Sequence, residues 1–525
     1  KCDDKNPCTD DSCDAKKGCV TKSNTAKCTD GNVCTLIDVC KDSKCTPGAV
    51  NKCDDKNPCT TDSCDKIKGC KSSAVKDGTS CSKDGAQWCQ LGKCVVKTQC
   101  PKDCFSLGTQ MSYGQAAPTL VPIDGAANDF FGISVSVSGE RMVVGARDDD
   151  DKGINSGSAY VYERSKTGTW TNVAKLTAKD GASGDQFGMS VVISGDRIVV
   201  GAYGDDDKSS DSGSAYVFER SKAGSWTQVA KLTAKDGAQS DYFGYSVAIG
   251  TDRIVVGARG DDDKGSSSGS AYVYERQQNG SWTQAAKLTA KDAAAADFFG
   301  YSVAISTDRI VVGAYGDDDK GLGSGSAYVF ERSKAGSWTQ VAKLIAKDGK
   351  ANAYFGASVA IGGDRMVVGA YRDSSSAPSS GSAYVFERQK DGTWTQVAKL
   401  TAKEDGAAND RFGWSVAIST DRIVVGAYNN DGKGSAYLFE RGKTGGSWTQ
   451  TAKLVAKDGA KSDLFGRTVA ISDNRVAIGS VLADAKAPNS GSAYLFDLIA
   501  SCSDSNTCTC KPGYTGADCS VVAKP

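Results

Sequence analysis

Neighbouring aspartates are the residues of this sequence whose type and spacing best suit chemistry. They occur as short runs at corresponding positions of a long internal repeat, and those considered as sites are Asp148, Asp149, Asp150, Asp205, Asp206, Asp207, Asp261, Asp262, Asp263, Asp317, Asp318 and Asp319. Carboxylates clustered on glycine-rich loops supply the oxygen ligands that calcium prefers. The runs are therefore candidate sites for Ca²⁺ or for a basic ligand.

A purely structural role for the same aspartates is the alternative. Aspartates in turns accept hydrogen bonds from nearby backbone amides. A lysine also follows each run, at Lys152, Lys208, Lys264 and Lys320. In this interpretation the runs are solvated turns whose charge the lysines partly neutralise.

The absence of histidine among the 525 residues excludes several classes of enzyme. Ser-His-Asp and Cys-His catalysis and His-ligated zinc are impossible. Two carboxylates suffice for glycoside chemistry, so a carboxylate-dependent glycan-active enzyme remains an alternative. Catalysis nevertheless needs differentiated residues that converge on one site, and the repeated units are close copies. We expect a binding or structural protein that has no catalytic residues.

The charge balance and the cysteines indicate where the protein works. The 63 basic and 63 acidic residues cancel, which favours neither nucleic acid nor a membrane surface as partner, and no apolar run is long enough to insert into a bilayer. All 21 cysteines lie near the two ends of the chain, with none between Cys104 and Cys502. Disulfide-rich segments of this kind persist in oxidising compartments, so we expect an extracellular, secreted or cell-surface protein.

The odd number of cysteines means that they cannot all pair with one another. At least one of the 21 is free, bonded to another chain, or paired with a residue outside this sequence. We favour the second and third possibilities over a free exposed thiol.

Two cysteine-rich modules occupy the start of the chain. The stretch 1–19 recurs almost unchanged at 52–70, which divides the region into modules at 1–51 and 52–104. Asn-Pro turns and few large apolar residues predict stiff, loop-rich modules that disulfides hold together. They would serve as a stalk or as an element for self-assembly.

The middle of the chain, at 111–500, is a repeat array. The dipeptide Phe-Gly marks its seven units, at Phe131, Phe187, Phe243, Phe299, Phe355, Phe412 and Phe465. Each unit contains four segments in which β-branched and aromatic residues alternate, separated by Gly, Ser and Asp. A four-stranded unit cannot bury its own faces, whereas seven in a ring can. The fold class is therefore all-β, with a seven-bladed β-propeller flanked by disulfide-rich, loop-dominated modules.

The two ends of the array are expected to share one blade. The seventh unit lacks its fourth strand, and 118–125, ahead of the first Phe-Gly, aligns with the fourth strands of the other units. Closing the ring in this way hides the sheet edges. It also suggests a disulfide between Cys100 or Cys104 and Cys502 or Cys508.

The Phe-Gly opening, the Val-Gly-Ala run and the Gly-Ser-Ala-Tyr-Val-Phe strand resemble FG-GAP repeats, the unit of the integrin alpha-chain propeller. The resemblance implies an extracellular adhesion or structural protein that contacts a protein or glycan through one propeller face. A subunit of a surface appendage or matrix would be a protein of this kind. The calcium loop of integrin-type repeats is absent, because the first and second strands are joined only by a short turn such as 194–197. A secreted, lectin-like glycan-binding propeller is the alternative function.

The tail at 501–525 resembles the closing half of an EGF-like module, carried by the CTCKPGYTGADC stretch. The resemblance implies a disulfide between Cys510 and Cys519.

Two further residues are singled out along the repeat. Trp414 replaces the tyrosine that follows Phe-Gly in other units, which makes it a candidate for a unique ligand contact. Asn279 begins an N-x-S sequon in the loop between third and fourth strands and is the expected glycosylation site.

Overall fold

The computed structural model describes residues 2–51, 53–75, 81, 119–165, 168–403, 405–442 and 446–497, together with the strands at 87–90, 93–96, 514–515 and 521–522. Contacts divide the chain into two compact units, Gln110–Leu498 on the one hand and Lys1–Thr109 with Ile499–Pro525 on the other. No helix in these ranges has the length and apolar character needed to span a bilayer.

Short two-stranded ribbons and disulfides form the cysteine-rich unit. The ribbon strands are β1 (Thr9–Asp14), β2 (Gly18–Ser23), β3 (Thr35–Leu36), β4 (Val39–Lys41), β5 (Lys44–Thr46), β6 (Ala49–Val50), β7 (Thr60–Asp65), β8 (Gly69–Ala74), β9 (Gln87–Gln90) and β10 (Lys93–Val96), with β38 (Tyr514–Thr515) and β39 (Val521–Val522) from the end of the chain. The disulfides with both partners described are Cys2–Cys19, Cys8–Cys40, Cys28–Cys45, Cys34–Cys64 and Cys53–Cys70. The covalent cross-links compensate for a small apolar core.

One disulfide joins the two modules to each other. Cys34 of the first module bonds to Cys64 of the second. Cys13 holds the place in the first module that Cys64 holds in the second, and each stands opposite a cysteine of the neighbouring ribbon strand. Among the described cysteines, Cys13 alone is free, and it is exposed. Its Sγ lies 2.6 Å from Sγ of Cys2.

The second unit is a ring of seven antiparallel sheets, and the prediction of a seven-bladed β-propeller is confirmed. Blades one to three contain β11 (Phe131–Ser138), β12 (Arg141–Ala146), β13 (Ser158–Arg164) and β14 (Trp170–Leu176); β15 (Phe187–Ser194), β16 (Arg197–Ala202), β17 (Ser214–Arg220) and β18 (Trp226–Leu232); and β19 (Phe243–Ile249), β20 (Arg253–Ala258), β21 (Ser270–Arg276) and β22 (Trp282–Leu288).

The remaining four blades repeat the pattern. They contain β23 (Ser302–Ser306), β24 (Arg309–Ala314), β25 (Ser326–Arg332) and β26 (Trp338–Leu344); β27 (Phe355–Gly362), β28 (Arg365–Ala370), β29 (Ser382–Arg388) and β30 (Trp394–Leu400); β31 (Ser415–Ser419), β32 (Arg422–Ala427), β33 (Ser435–Arg441) and β34 (Trp448–Leu454); and β35 (Phe465–Ser472), β36 (Arg475–Ser480) and β37 (Ser492–Asp497). One 3-10 turn, Asn430–Gly432, lies in the sixth blade.

The core lies between neighbouring blades. The second and third strands of each blade are almost wholly buried, as the continuous apolar run of Arg197–Ala202 predicts. The side chains of one blade pack on those of the next, so that Phe187 contacts Tyr216 and Phe218 edge to face in its own blade and joins a cluster that includes Val161 of the preceding blade. No blade is therefore stable without its neighbours.

A close backbone contact fixes each blade against the next. Gly213, at the end of the loop between second and third strands, pairs with Phe243 at the start of the following blade. Gly213 has a φ of +81°, and a Cβ there would lie 2.0 Å from the Phe243 carbonyl oxygen. Only glycine fits this joint. The corresponding bridge between Gly491 and Phe131 connects the seventh blade to the first.

The start of the propeller chain completes the seventh blade. Leu120 and Ala493 exchange two backbone hydrogen bonds of 2.9 Å, in the place that the fourth strand occupies in other blades. The side-chain hydroxyl of Tyr162 donates to the Val121 carbonyl at 2.9 Å, which ties the same segment to the first blade. The ring is thus closed by residues from both ends of the repeat array.

Arginine and glutamate pairs connect the blades on the face opposite the aspartate runs. Glu163 of blade one accepts two hydrogen bonds from Arg220 of blade two, at 2.7 and 2.9 Å. Arg197, at the start of a second strand, pairs with Glu219 of its own blade at 3.1 Å. These pairs have the distances of salt bridges, within and between blades.

Candidate functional site

The aspartate runs lie in the loops between second and third strands. We call the side of the ring that carries these loops, and those leading to the next blade, the loop face. In blade two, buried Asp205 accepts hydrogen bonds from Ser214 Oγ at 2.9 Å and Tyr216 Oη at 2.7 Å. Asp206 Oδ1 accepts one from the backbone amide of Asp211 at 2.7 Å. Most of this bonding shapes the loop itself.

A lysine from the fourth strand lies inside each carboxylate cluster. Nζ of Lys231 is 2.7 Å from Asp180, 3.0 Å from Asp205 and 2.5 Å from Asp207. Burial alone would lower the pKa of Lys231, but the hydrogen bonds from its ammonium to these carboxylates raise it above its usual value. The equivalent lysines of other blades, which pair with two or three aspartates each, are Lys175, Lys287, Lys343, Lys399 and Lys453.

This arrangement changes the expectation for the aspartate runs. The oxygens of Asp180, Asp205 and Asp207 are close enough together to hold a metal ion, but the Lys231 ammonium is at hydrogen-bonding distance from all three. The fourth-strand lysines partly neutralise the clusters, a role that the sequence analysis gave to Lys152, Lys208, Lys264 and Lys320. The sequence signal for these lysines is their recurrence in the Ala-Lys-Leu motif of each fourth strand.

A second set of aspartates lies two positions before Phe-Gly in six of the seven blades, and blade five has Ala353 there. Asp241 is buried and accepts a hydrogen bond from the Ala238 amide at 2.7 Å. Burial raises the pKa of Asp241 to about 6, although the hydrogen bond from Ala238 opposes the change. Burial has the same effect on Asp185 and Asp297, each with a pKa of about 6.

The innermost strands line a central channel that contains a cavity of about 510 Å³. Serines that follow Phe-Gly, such as Ser134 and Ser190, donate from their hydroxyls to glycine carbonyls of the next blade at 2.8 Å. The cavity also contacts Tyr245, Trp414 and Arg467 near the loop face. Its volume is in the range of small-ligand pockets.

Strained backbone directs side chains to the mouth of this channel. The residue before Phe-Gly has a positive φ in all seven blades, and these residues are Phe130, Gln186, Tyr242, Phe298, Tyr354, Arg411 and Leu464. A bulky residue in this region costs about 1–3 kcal/mol, and such strain concentrates at functional sites. The side chain at this position also differs from blade to blade, although the surrounding Phe-Gly is repeated.

Aromatic rings of blades two to six form a continuous belt along the mouth. Consecutive ring centroids lie 4.5 to 5.8 Å apart, through Tyr203, Tyr242, Tyr245, Phe298, Tyr301, Tyr315, Tyr354, Tyr371, Trp414 and Tyr428. We call these ten residues the aromatic belt. Trp414, which the sequence singled out, is part of it, and its ring is 4.5 Å from Tyr371 and 5.0 Å from Tyr428.

Four arginines lie over these rings, namely Arg259, Arg372, Arg411 and Arg467. A fifth, Arg147, lies over the neighbouring ring of Phe130. The Arg467 guanidinium lies 4.2 Å from the Trp414 ring centroid and 5.4 Å from that of Tyr428. Burial lowers the pKa of Arg467, yet a guanidinium retains its charge in proteins. The belt and these arginines together form the channel-mouth cluster.

Sequence reasoning found only Trp414 of this cluster. It proposed aspartate sites for Ca²⁺ or a basic ligand and did not predict arginines beside them. The signal lies in three positions of each repeat that vary while the rest is copied: the residues before and after Phe-Gly, and the residue after the second strand.

The remaining predicted sites are separate from the channel. Asn279 is exposed in its loop, where its side-chain oxygen accepts hydrogen bonds from the amide and hydroxyl of Ser281 at 3.0 and 2.7 Å. Its glycosylation stays a prediction. The expected Cys510–Cys519 disulfide lies outside the described residues, as do Cys100, Cys104, Cys502 and Cys508.

Comparisons with known proteins cover both regions of the chain. The Dictyostelium (slime mold) repeat matches 1–22 and 52–75, within the cysteine-rich modules. Two Dictyostelium discoideum proteins are similar to about a fifth of the chain: Protein psiK is 35% identical over 111 residues, 20% of this chain and 14% of psiK. Protein psiR is 33% identical over 119 residues, 21% of this chain and 11% of psiR. The chain therefore spans only a small part of these relatives.

A crystal structure of a Lactobacillus plantarum protein aligns with 62% of this chain and 86% of its own, at 16% identity and a TM-score of 0.41. The FG-GAP repeat itself matches seven times, at 116–162, 170–218, 226–274, 282–330, 338–386, 394–439 and 448–496. Each match from the second on spans the fourth strand of one blade and the first three strands of the next, and together the seven cover more than half of the sequence. The chain belongs to the FG-GAP repeat family.

Proposed function

We propose that this chain is an extracellular adhesion or structural protein that contacts a protein or glycan through the channel mouth of its propeller. The observation that carries the proposal is the channel-mouth cluster, where aromatic and arginine side chains differ between blades that are otherwise copies. Exposed patches of aromatic residues and arginine are typical of binding interfaces. The cysteine-rich modules, with their disulfides, support an extracellular or cell-surface location.

The cysteine-rich modules would act as a stiff stalk and as an assembly element. The Cys34–Cys64 disulfide already joins one copy of the module to the next. Cys13 occupies the position equivalent to Cys64 and is exposed. We expect a cysteine of another module copy, equivalent to Cys34, to bond to Cys13 in an assembled stalk.

We propose no catalytic role. A hydrolase based on two carboxylates needs one acid and one base that are free to act on substrate. The Asp205 and Asp207 carboxylates pair with Lys231, and the corresponding aspartates of other blades have similar partners. Incubation with glycan libraries followed by product analysis tests this point, and release of any saccharide product would contradict it.

Adhesion assays with a channel-mouth variant test the binding proposal. The full chain, coated on a surface, should retain cells or extracellular matrix of the source organism. Replacing Tyr371 and Trp414 with alanine should remove most of this retention. The control is Lys390→Gln, an exposed residue in the loop between third and fourth strands on the opposite face. Equal retention by the double variant and the control would overturn the proposal.

A further inference from the structure

The guanidinium of Arg467 lacks any acidic partner in the described part of the chain. It makes no side-chain hydrogen bond or ion pair there, and it lies against the Trp414 and Tyr428 rings. Several other basic residues of the propeller do have acidic partners, as Arg220 pairs with Glu163 and Lys231 with three aspartates. Removing a charge from water without a partner is costly, so the protein maintains Arg467 here at the expense of stability.

The position of Arg467 places its charge at the centre of the mouth. It is the third residue of β35, the innermost strand of blade seven. It interacts electrostatically with Tyr245 and Tyr301 of blades three and four, which lie across the channel. Arg259, over the Tyr242 and Tyr245 rings, also forms no ion pair within the described residues. An anionic group that enters the channel would therefore meet uncompensated positive charge.

The backbone offers few partners to a peptide ligand. An extended peptide needs main-chain donors and acceptors to satisfy its amides. Around the channel, the glycine carbonyls already accept hydrogen bonds from serine hydroxyls of the preceding blade, as Ser246 does to Gly300 and Ser302 to Gly356, both at 2.8 Å. The mouth therefore presents side chains to a ligand and little free main chain.

The free polar atoms of the aromatic belt are hydroxyls. Those of Tyr203, Tyr242, Tyr315, Tyr371 and Tyr428 form no hydrogen bond within the described residues, and each ring is partly exposed. Each tyrosine side chain provides an apolar aromatic surface together with a hydroxyl that can form hydrogen bonds. Such a surface suits a ligand with an apolar face and several hydroxyls, which describes a sugar ring.

The surrounding loops limit how much negative charge a ligand can carry. In each of blades two to four, two half-exposed aspartates pair with one lysine, as Asp180 and Asp207 do with Lys231. Negative charge therefore remains at the rim. Like charges at the rim repel a densely charged polyanion, which is a source of specificity. One carboxylate at the centre of the channel avoids that repulsion.

We propose that the channel mouth binds a saccharide residue with a single carboxylate, such as a uronic or sialic acid, which Arg467 binds while the aromatic belt contacts the sugar ring. This inference rests on the proposed function and names its ligand class. Guanidinium is suited to the task because it forms two parallel hydrogen bonds with a carboxylate.

Isothermal titration of the full chain tests the proposal with defined probes: a galacturonic acid trimer, N-acetylneuraminic acid, a neutral galactose trimer, a glutamate-containing tripeptide and a heavily sulfated polysaccharide. We expect at least one acidic saccharide to bind, with the neutral trimer, the tripeptide and the sulfated polymer at least tenfold weaker. Arg467→Gln should weaken binding by about tenfold to a hundredfold, the range for hydrogen bonds to a charged group. Arg467→Lys should restore part of it.

Two further variants separate lost binding from lost structure. Tyr203→Phe removes one belt hydroxyl without removing its ring, and should weaken saccharide binding severalfold at an unchanged melting temperature. Lys208→Gln removes an exposed charge from the same face and should leave binding unchanged. Equal binding of the neutral trimer, preference for the tripeptide, or no binding of either acidic saccharide would each overturn the proposal. In those cases the Tyr371/Trp414 adhesion assay still decides whether the mouth binds another partner.

Discussion

At the scale of single residues, the aspartates and lysines of the loop face are best understood as structural units. The Asp205 carboxylate accepts hydrogen bonds from Ser214, Tyr216 and Lys231. The neighbouring aspartates bond to the loop backbone or to the same lysine ammonium. A buried carboxylate with several donors is costly to disturb, since its partners have no alternative.

Replacing Lys231 with methionine is expected to destabilise the propeller. The change leaves the buried Asp205 carboxylate without its cation. We expect a loss of about 2 kcal/mol in the free energy of unfolding, less than the 3–5 kcal/mol of a fully buried pair because Asp180 and Asp207 are half exposed. Urea unfolding measures it, and Lys208→Met is the exposed control.

Calcium provides a second readout in the same samples. With Lys231 among the carboxylates, added calcium should not raise the melting temperature of the native protein. A rise in the native protein, or equal stability of the Lys231 and Lys208 variants, would contradict this account of the clusters.

The buried aspartates that precede Phe-Gly, such as Asp241, predict a pH dependence of stability. The folded pKa of Asp241 is about 6, above the roughly 3.9 of an unfolded chain. Between these values the native state binds more protons, so this group's contribution to stability falls as pH rises from about 4 to 6. Asp241→Asn keeps an acceptor for Ala238 and should be more stable than the native protein at pH 7, with the difference shrinking at pH 4. Urea titrations at both pH values check this, and a difference that grows on acidification would refute it.

At the scale of elements, the ribbons of the two cysteine-rich modules differ in one bond. Each ribbon is bonded to a cysteine that precedes it, through Cys53–Cys70 for β7–β8 and Cys2–Cys19 for β1–β2. Cys64 of β7 is also bonded to Cys34, whereas Cys13 of β1 is free. The sequence showed that a cysteine was left over but not which one, because connectivity depends on how the ribbons pack.

Thiol labelling of the unreduced protein should locate the odd cysteine. We expect one equivalent of maleimide label per chain, and peptide mapping should place it at Cys13, because that thiol is exposed. Cys13→Ser should abolish labelling and any disulfide-linked oligomer. Label at a different cysteine, or none in the monomer, would show that Cys13 is paired.

At the scale of the whole propeller, stability depends on closing the ring. The segment that begins at Leu120 completes blade seven and also bonds to blade one through Tyr162 and Tyr160. Without it, a sheet edge of blade seven would be exposed.

Truncating the closing segment's buried side chain should destabilise the propeller. Leu120→Ala is expected to cost about 2–5 kcal/mol, the usual range for a buried leucine, because Leu120 is 7% exposed. Ile123→Ala, at 72% exposure in the same segment, is the control. Thermal melts of both variants measure the difference, and equal melting temperatures would mean that this segment does not hold the ring closed.

Much of the architecture was predictable from sequence because the repeat itself encodes it. Phe-Gly spacing, strand alternation and the displaced fourth strand indicated seven blades and their closure. The channel-mouth cluster was harder to predict, since Arg259, Trp414 and Arg467 are far apart in sequence and meet only when the ring forms. The lysines of the carboxylate clusters were missed for the same reason: Lys231 meets Asp180 from the preceding connection and Asp205 from its own blade.

The central claim is that the mouth of the propeller channel is a binding site built around Arg467. Its most direct test is calorimetric titration of an acidic saccharide into the native chain and the Arg467→Gln variant at two salt concentrations. Equal melting temperatures of the two proteins show beforehand that the substitution leaves the fold intact. The account predicts binding that weakens with salt and is reduced at least tenfold by the substitution. Equal affinity of the two proteins for the same saccharide would contradict it.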